Sequence, residues 1–98
     1  MVIVTASVVA KEDRLAEALA LSLAHVRRSR AESGCILHAV HEDVENPSRL
    51  VFVEEWSGLE ALGKHFAVAA SRAFANAITD LAVEAPKLDV FEAKRVGG

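Results

Sequence analysis

An α+β fold of order β-α-β-β-α-β is predicted by three features of this 98-residue chain. Runs rich in Val, Ile, Leu and Phe and too short for helices recur at residues 2–10, 35–42, 49–56 and 88–93. Segments with a helical apolar stripe separate the first run from the second and the third from the fourth. The Asn46-Pro47 pair joins the middle two runs through a turn, which predicts an antiparallel hairpin. That order is the ferredoxin-like split β-α-β sandwich, a four-stranded antiparallel sheet with its helices on one face.

The first strand carries apolar residues on both parities, which predicts burial of both its faces. It ends at the charged cluster Lys11-Glu12-Asp13-Arg14, where the period changes. From about Asp13, Leu15, Leu19, Leu23 and Val26, with Ser22 alongside, form one helical stripe. Glu12 and Asp13 suit the positive end of that helix, and Arg27, Arg28 and Arg30 the negative end. Gly34 supplies a left-handed stop. Ser57-Gly58-Leu59-Glu60 reads as a capping box that opens a second helical region from Leu59 to about Ala82. The featureless stretch Ala67 to Ala70 is long enough to hold a break in it, and Pro86 ends the region.

Composition bounds what the chain does. A single domain over residues 1–98 is expected, and a net charge of -3 argues against a nucleic-acid surface. One cysteine excludes an intrachain disulfide and a cysteine-built zinc site. The most apolar helical stretch, Leu15 to Val26, is interrupted by Glu17, Ser22 and His25 and is too short to span a membrane. The N-terminus lacks the basic region of a signal peptide, so a cytoplasmic protein is expected. Leu50, Phe52 and Trp56 fall on one strand face and Val51 and Val53 on the other. Two helices cover only one face, so a homodimer packed through its sheet faces is expected.

Cys35, His38 and His41 resemble a chelating series, but alternation along a strand sends His38 to the opposite side from the other two. His25 and His65 lie on different helices without an i, i+4 partner, and no metal is expected. Glu54, Trp56 and His65 form a more informative set. The first two share a strand face, and His65 lies two turns into the second helical region among Leu62, Phe66 and Phe74. A histidine beside a carboxylate in apolar surroundings is suited to acid–base chemistry.

The series Ser29-Arg30-Ala31-Glu32-Ser33-Gly34-Cys35, Asn46-Pro47, Glu54-Glu55-Trp56-Ser57 and His65 resembles the antibiotic biosynthesis monooxygenase (ABM) domain family. The resemblance covers most of the chain and is strongest over residues 29–74. It implies a dimeric α+β barrel with a small-molecule pocket between sheet and helices in each subunit. It further implies a monooxygenase that needs no cofactor and oxidises a small aromatic quinol or polycyclic phenol with O2. His65 would be the base, Glu54 its orienter or a hydrogen-bond acceptor, and Trp56 a stacking wall. Phe52, His38, Leu62, Phe66 and Phe74 would bind the substrate. Thr5 and Ser7 stand where the heme-degrading branch has its asparagine, which argues against heme. The same pocket also suits an isomerase, or a non-catalytic dimeric ligand-binding or stress-response module.

Overall fold

In the structure, a computed structural model describing Met1–Gly98, the chain forms one four-stranded antiparallel sheet with its helices on one face. The elements are β1 (Val2–Val9), α1 (Leu15–Ser29), β2 (Cys35–Asp43), β3 (Asn46–Trp56), α2 (Leu59–Ala67), α3 (Ala69–Asp80) and β4 (Lys87–Glu92). The strand order is β2-β3-β1-β4, as the ferredoxin-like reading requires. A short 3-10 turn at Glu12–Arg14 leads into α1. The second helical region breaks at Val68, whose extended backbone separates α2 from α3. No helix is long and apolar enough to cross a membrane.

Burial follows strand alternation. Val2, Val4 and Val8 of β1 and Leu50, Phe52, Glu54 and Trp56 of β3 face the helices and are buried. Two apolar clusters result. One gathers Val8, Ala18, Val26, Leu50, Phe52, Ile78 and Leu81; the other gathers Val2, Val4, Trp56 and Leu62. Glu54 lies between them on the inner face of β3, so the core is divided where a carboxylate interrupts an apolar row.

Four local expectations are corrected. The hairpin turn falls at Val44-Glu45, with Asp43 Oδ1 accepting from the Glu45 amide at 2.9 Å, and Asn46-Pro47 opens β3. Pro47 is tolerated there because pairing of β1 with β3 reaches only to Arg49. Ser57 makes no capping bond; Gly58 is the N-cap of α2. The buried face of α1 is centred on Ala18, Ser22, His25, Val26 and Ser29, with the leucines at its shoulders. The Ser22 and Ser29 hydroxyls donate back to the Ala18 and His25 carbonyls at 2.7 Å, so these small side chains enter the core satisfied. The fourth concerns β2. A bulge between Cys35 and Leu37 puts Cys35, opposite Trp56, on the same face as His38 and leaves Ile36 exposed.

Gly34 adopts the expected left-handed conformation (φ 84°), but it sits beyond the end of α1, at the entry to β2. Its carbonyl accepts from the Ser57 amide at 2.8 Å. A Cβ there would lie 2.5 Å from Ala61 Cβ and 2.8 Å from Ser57 Oγ. Gly34→Ala is therefore expected to cost about 2–4 kcal/mol through backbone strain and overpacking, read as a lower urea midpoint.

Candidate active site

Four buried titratable side chains meet between the two apolar clusters, one from each of four elements. His25 comes from α1, His38 from β2, Glu54 from β3 and His65 from α2; they are 6%, 1%, 5% and 2% exposed. His38 reaches the helix side because β2 pairs it directly opposite Glu54. The three imidazoles lie at ring-centroid separations of 5.2 to 5.5 Å.

Glu54 Oε1 is the hub. It accepts from Trp56 Nε1–H at 2.9 Å and lies 3.3 Å from His38 Nε2 and 3.9 Å from His65 Nε2. The His38 contact is within ion-pair distance but is not aligned as a hydrogen bond. Burial pushes the Glu54 carboxyl up; the His38 contact, the Trp56 N–H and the nearby His65 outweigh it and leave the carboxyl below its ordinary value. His65 Nδ1 lies 3.0 Å from Glu32 Oε1. A carboxylate only accepts, so Nδ1 is the donor in this pair, and in the neutral tautomer that this pair selects the lone pair is on Nε2, 3.9 Å from Glu54 Oε1.

A cavity of about 150 Å³ opens beside this group. His25, Glu54, His65, Ser71 and Arg72 contribute its polar wall, and Phe66, Phe74, Ala75 and Leu88 its apolar wall. Phe74 also stacks on His25 at 4.1 Å. Of the residues singled out in the sequence, His65, Glu54, Phe66 and Phe74 line the cavity. The others lie behind it. Trp56 is fully buried beneath His65, with ring centroids 4.6 Å apart, so it backs the histidine and does not wall the cavity. His38 is enclosed beside Glu54, Phe52 belongs to the larger apolar cluster, and Leu62 packs with Val2, Val4 and Trp56. His41 is exposed, as strand alternation predicts. Burial and Glu32 raise the Cys35 pKa, which keeps it a thiol and a poor nucleophile.

The sequence reading missed His25 and Glu32. A lone histidine on the apolar face of α1 gives no local sign of partners 13 and 40 residues away, and Glu32 meets His65 only through the loop after α1.

Acid sensitivity follows from this burial. Desolvation, then the neighbouring His38 and His65, and least of all Arg28, push the His25 pKa from 6.5 down to about 4, against a smaller opposing contribution from Glu54. Between those values the unfolded chain binds a proton that the folded chain does not, so stability rises with pH across the window. At about 1.4 kcal/mol per unit, acidification through it removes about 2–3 kcal/mol. Glu54 acts in the same direction lower down. Its depressed pKa stabilises the fold above the ordinary value of 4.5, and that contribution is lost as pH falls through the folded value. Urea midpoints measured from pH 7 to pH 4 should fall, and His25→Phe should flatten the upper part of that loss.

Comparison with known proteins places the site in context. The family model described as antibiotic biosynthesis monooxygenase matches residues 1–77. An uncharacterized protein of Synechocystis sp. is 28% identical over 91 residues, covering 93% of this chain; the chain spans 62% of that relative's length. A Deinococcus radiodurans structure, provisionally named an antibiotic biosynthesis monooxygenase, superposes with a TM-score of 0.95 at 28% identity. That match covers 100% of this chain and 97% of the other. A Mycobacterium tuberculosis protein shares the fold, with a TM-score of 0.91 at 22% identity over 99% of this chain and 98% of its own.

Proposed function

The chain belongs to the antibiotic biosynthesis monooxygenase family, and from that premise we propose that it oxidises a single-ring phenol or quinol with O2 in the cavity beside His65. The observation that carries this reading is the pairing of His65 Nδ1 with Glu32, which leaves Nε2 as a proton acceptor at the wall of a partly aromatic cavity. The substrate hydroxyl gives its proton to Nε2, and Glu32 stabilises the resulting imidazolium. The electron-rich phenolate reduces O2 and a carbon–oxygen bond forms. The peroxy intermediate then loses water, so one oxygen atom enters the quinone product and the other leaves as water. The substrate supplies all the electrons, so this route requires no external reductant. Phe66 and Phe74 offer an aromatic wall against which the phenolate ring packs.

Cavity size bears on the substrate. About 150 Å³ accommodates one aromatic ring and is well below the roughly 300 Å³ or more of pockets for larger ligands. Single-ring quinols are expected to be consumed faster than anthrone-sized polycyclic phenols, measured as oxygen uptake above autoxidation.

The proposal includes a homodimer packed through the outer sheet faces. Leu37, Val51, Val53, Ile3 and Phe91 lie on the face opposite the helices, and Leu37 and Phe91 are exposed. Sedimentation should give the mass of two chains, and Val53→Glu should give the mass of one. A wild-type monomer at micromolar concentration would contradict this part of the proposal.

A further inference from the structure

Three buried ring nitrogens, His25 Nδ1 and both nitrogens of His38, have no hydrogen-bond partner in the protein. Burying such a group without a partner costs about 1–3 kcal/mol, and apolar side chains of similar shape would fill the same space without that cost. Packing alone therefore gives no reason for His25 and His38 at this point in the core. A ligand that needs lone pairs does.

We propose that His25, His38 and His65 form a binding site for a divalent first-row transition-metal ion such as Zn²⁺ or Co²⁺, with Glu54 as an oxygen donor at the same centre. The three histidines each offer a ring nitrogen, and all three donor atoms lie within 4.8 Å of one another. Tetrahedral coordination at about 2.0–2.1 Å sets ligand atoms about 3.4 Å apart, so the nitrogens must draw in by up to about 1.4 Å on binding. Glu54 Oε1 is already 3.3 Å from His38 Nε2 and 3.9 Å from His65 Nε2. Imidazole nitrogens with one carboxylate favour Zn²⁺, Co²⁺, Ni²⁺ or Cu²⁺ over Mg²⁺ or Ca²⁺, which prefer oxygen-only sites.

The surroundings match what a metal-bound histidine requires. Glu32 holds His65 Nδ1–H and leaves Nε2 as the ligand atom, the arrangement that orients metal-binding imidazoles. The Trp56 N–H holds Glu54 in the same way. His25, Glu54 and His65 also face the cavity, so an ion there would meet a ligand entering it.

Binding and proton transfer compete for one atom. An ion on His65 Nε2 occupies the lone pair that would take the substrate proton, so Zn²⁺ added to protein freed of metal and then of chelator is expected to inhibit the oxygenase activity. The binding itself is independent of turnover and is measured without substrate.

The test is a cobalt titration of chelator-treated full-length protein, followed by its visible ligand-field absorption, with Zn²⁺ as competitor. One ion per chain is expected, displaced by one equivalent of Zn²⁺. His25→Gln and His38→Gln, checked for folding by circular dichroism, should each weaken binding at least 100-fold. Glu32→Gln should weaken it about 10–100-fold by releasing His65. His41→Ala, on the outer face, should bind as wild type. Absence of a cobalt spectrum, or one lost in His41→Ala and kept in folded His25→Gln and His38→Gln, would overturn the site. Quinol oxidation in chelator would stand in either case, and loss of that oxidation would leave the cobalt spectrum unchanged.

Discussion

His65→Ala is expected to lower oxygen-dependent turnover of a single-ring quinol by about 10²–10⁴-fold, the usual contribution of a positioned general base. The loss should appear in kcat more than in KM. Phe66 and Phe74 still offer the ring its apolar wall, while proton removal contributes at the transition state. His65 is also buried over Trp56, so a folding defect must be separated from a chemical one. Far-UV circular dichroism and the urea midpoint make that separation. A folded His65→Ala with wild-type kcat would remove this histidine from the mechanism.

Trp56→Ala should produce the largest loss of stability in the domain, about 3–5 kcal/mol. Trp56 is fully buried, joins Val2, Val4 and Leu62 in the smaller apolar cluster, and carries the N–H that satisfies Glu54. Against the roughly 5–15 kcal/mol of a typical domain, that loss leaves much of the population unfolded at moderate urea. Trp56→Phe separates the two contributions. It keeps most of the apolar surface but removes the donor, and is expected to cost about 1–3 kcal/mol. Both midpoints require circular dichroism, because Trp56 is the only tryptophan and its removal abolishes the fluorescence signal. A cost for Trp56→Phe equal to that of Trp56→Ala would assign the whole effect to the Glu54 hydrogen bond.

The strands and the helix order are legible because period-2 and period-3.6 patterns are written in consecutive residues. Leu50, Phe52, Glu54 and Trp56 read directly as one face of β3, and the structure turns that face, with its carboxylate, toward the helices. The break near residue 68 is legible only as a lack of pattern. Other features depend on a single residue's departure from regularity. The bulge after Cys35 reverses that residue's facing and cannot be read from alternation, because alternation assumes there is no bulge. The capping box at Ser57 matches its motif, yet Ser57 is drawn toward Gly34, whose carbonyl takes the Ser57 amide.

The candidate site divides along the same line. Glu54 and His65 are close enough to the same strand–helix junction for their meeting to be anticipated. His25 and Glu32 arrive from α1 and the loop after it, and only the packing of α1 over the sheet brings them to His38 and His65. Ranking Leu62 and Phe52 as pocket residues follows from their apolar character and correct facing. The structure spends both on the core, because an inward apolar side chain packs wherever a neighbour closes over it.

Isotopically labelled dioxygen tests the central claim most directly. Purified protein in chelator, given a single-ring quinol and labelled O2, is expected to yield a quinone carrying one labelled oxygen atom, at a rate that falls to the autoxidation level in folded His65→Ala. Unlabelled product, or labelled product formed at equal rates by both proteins, would contradict a monooxygenase whose base is His65.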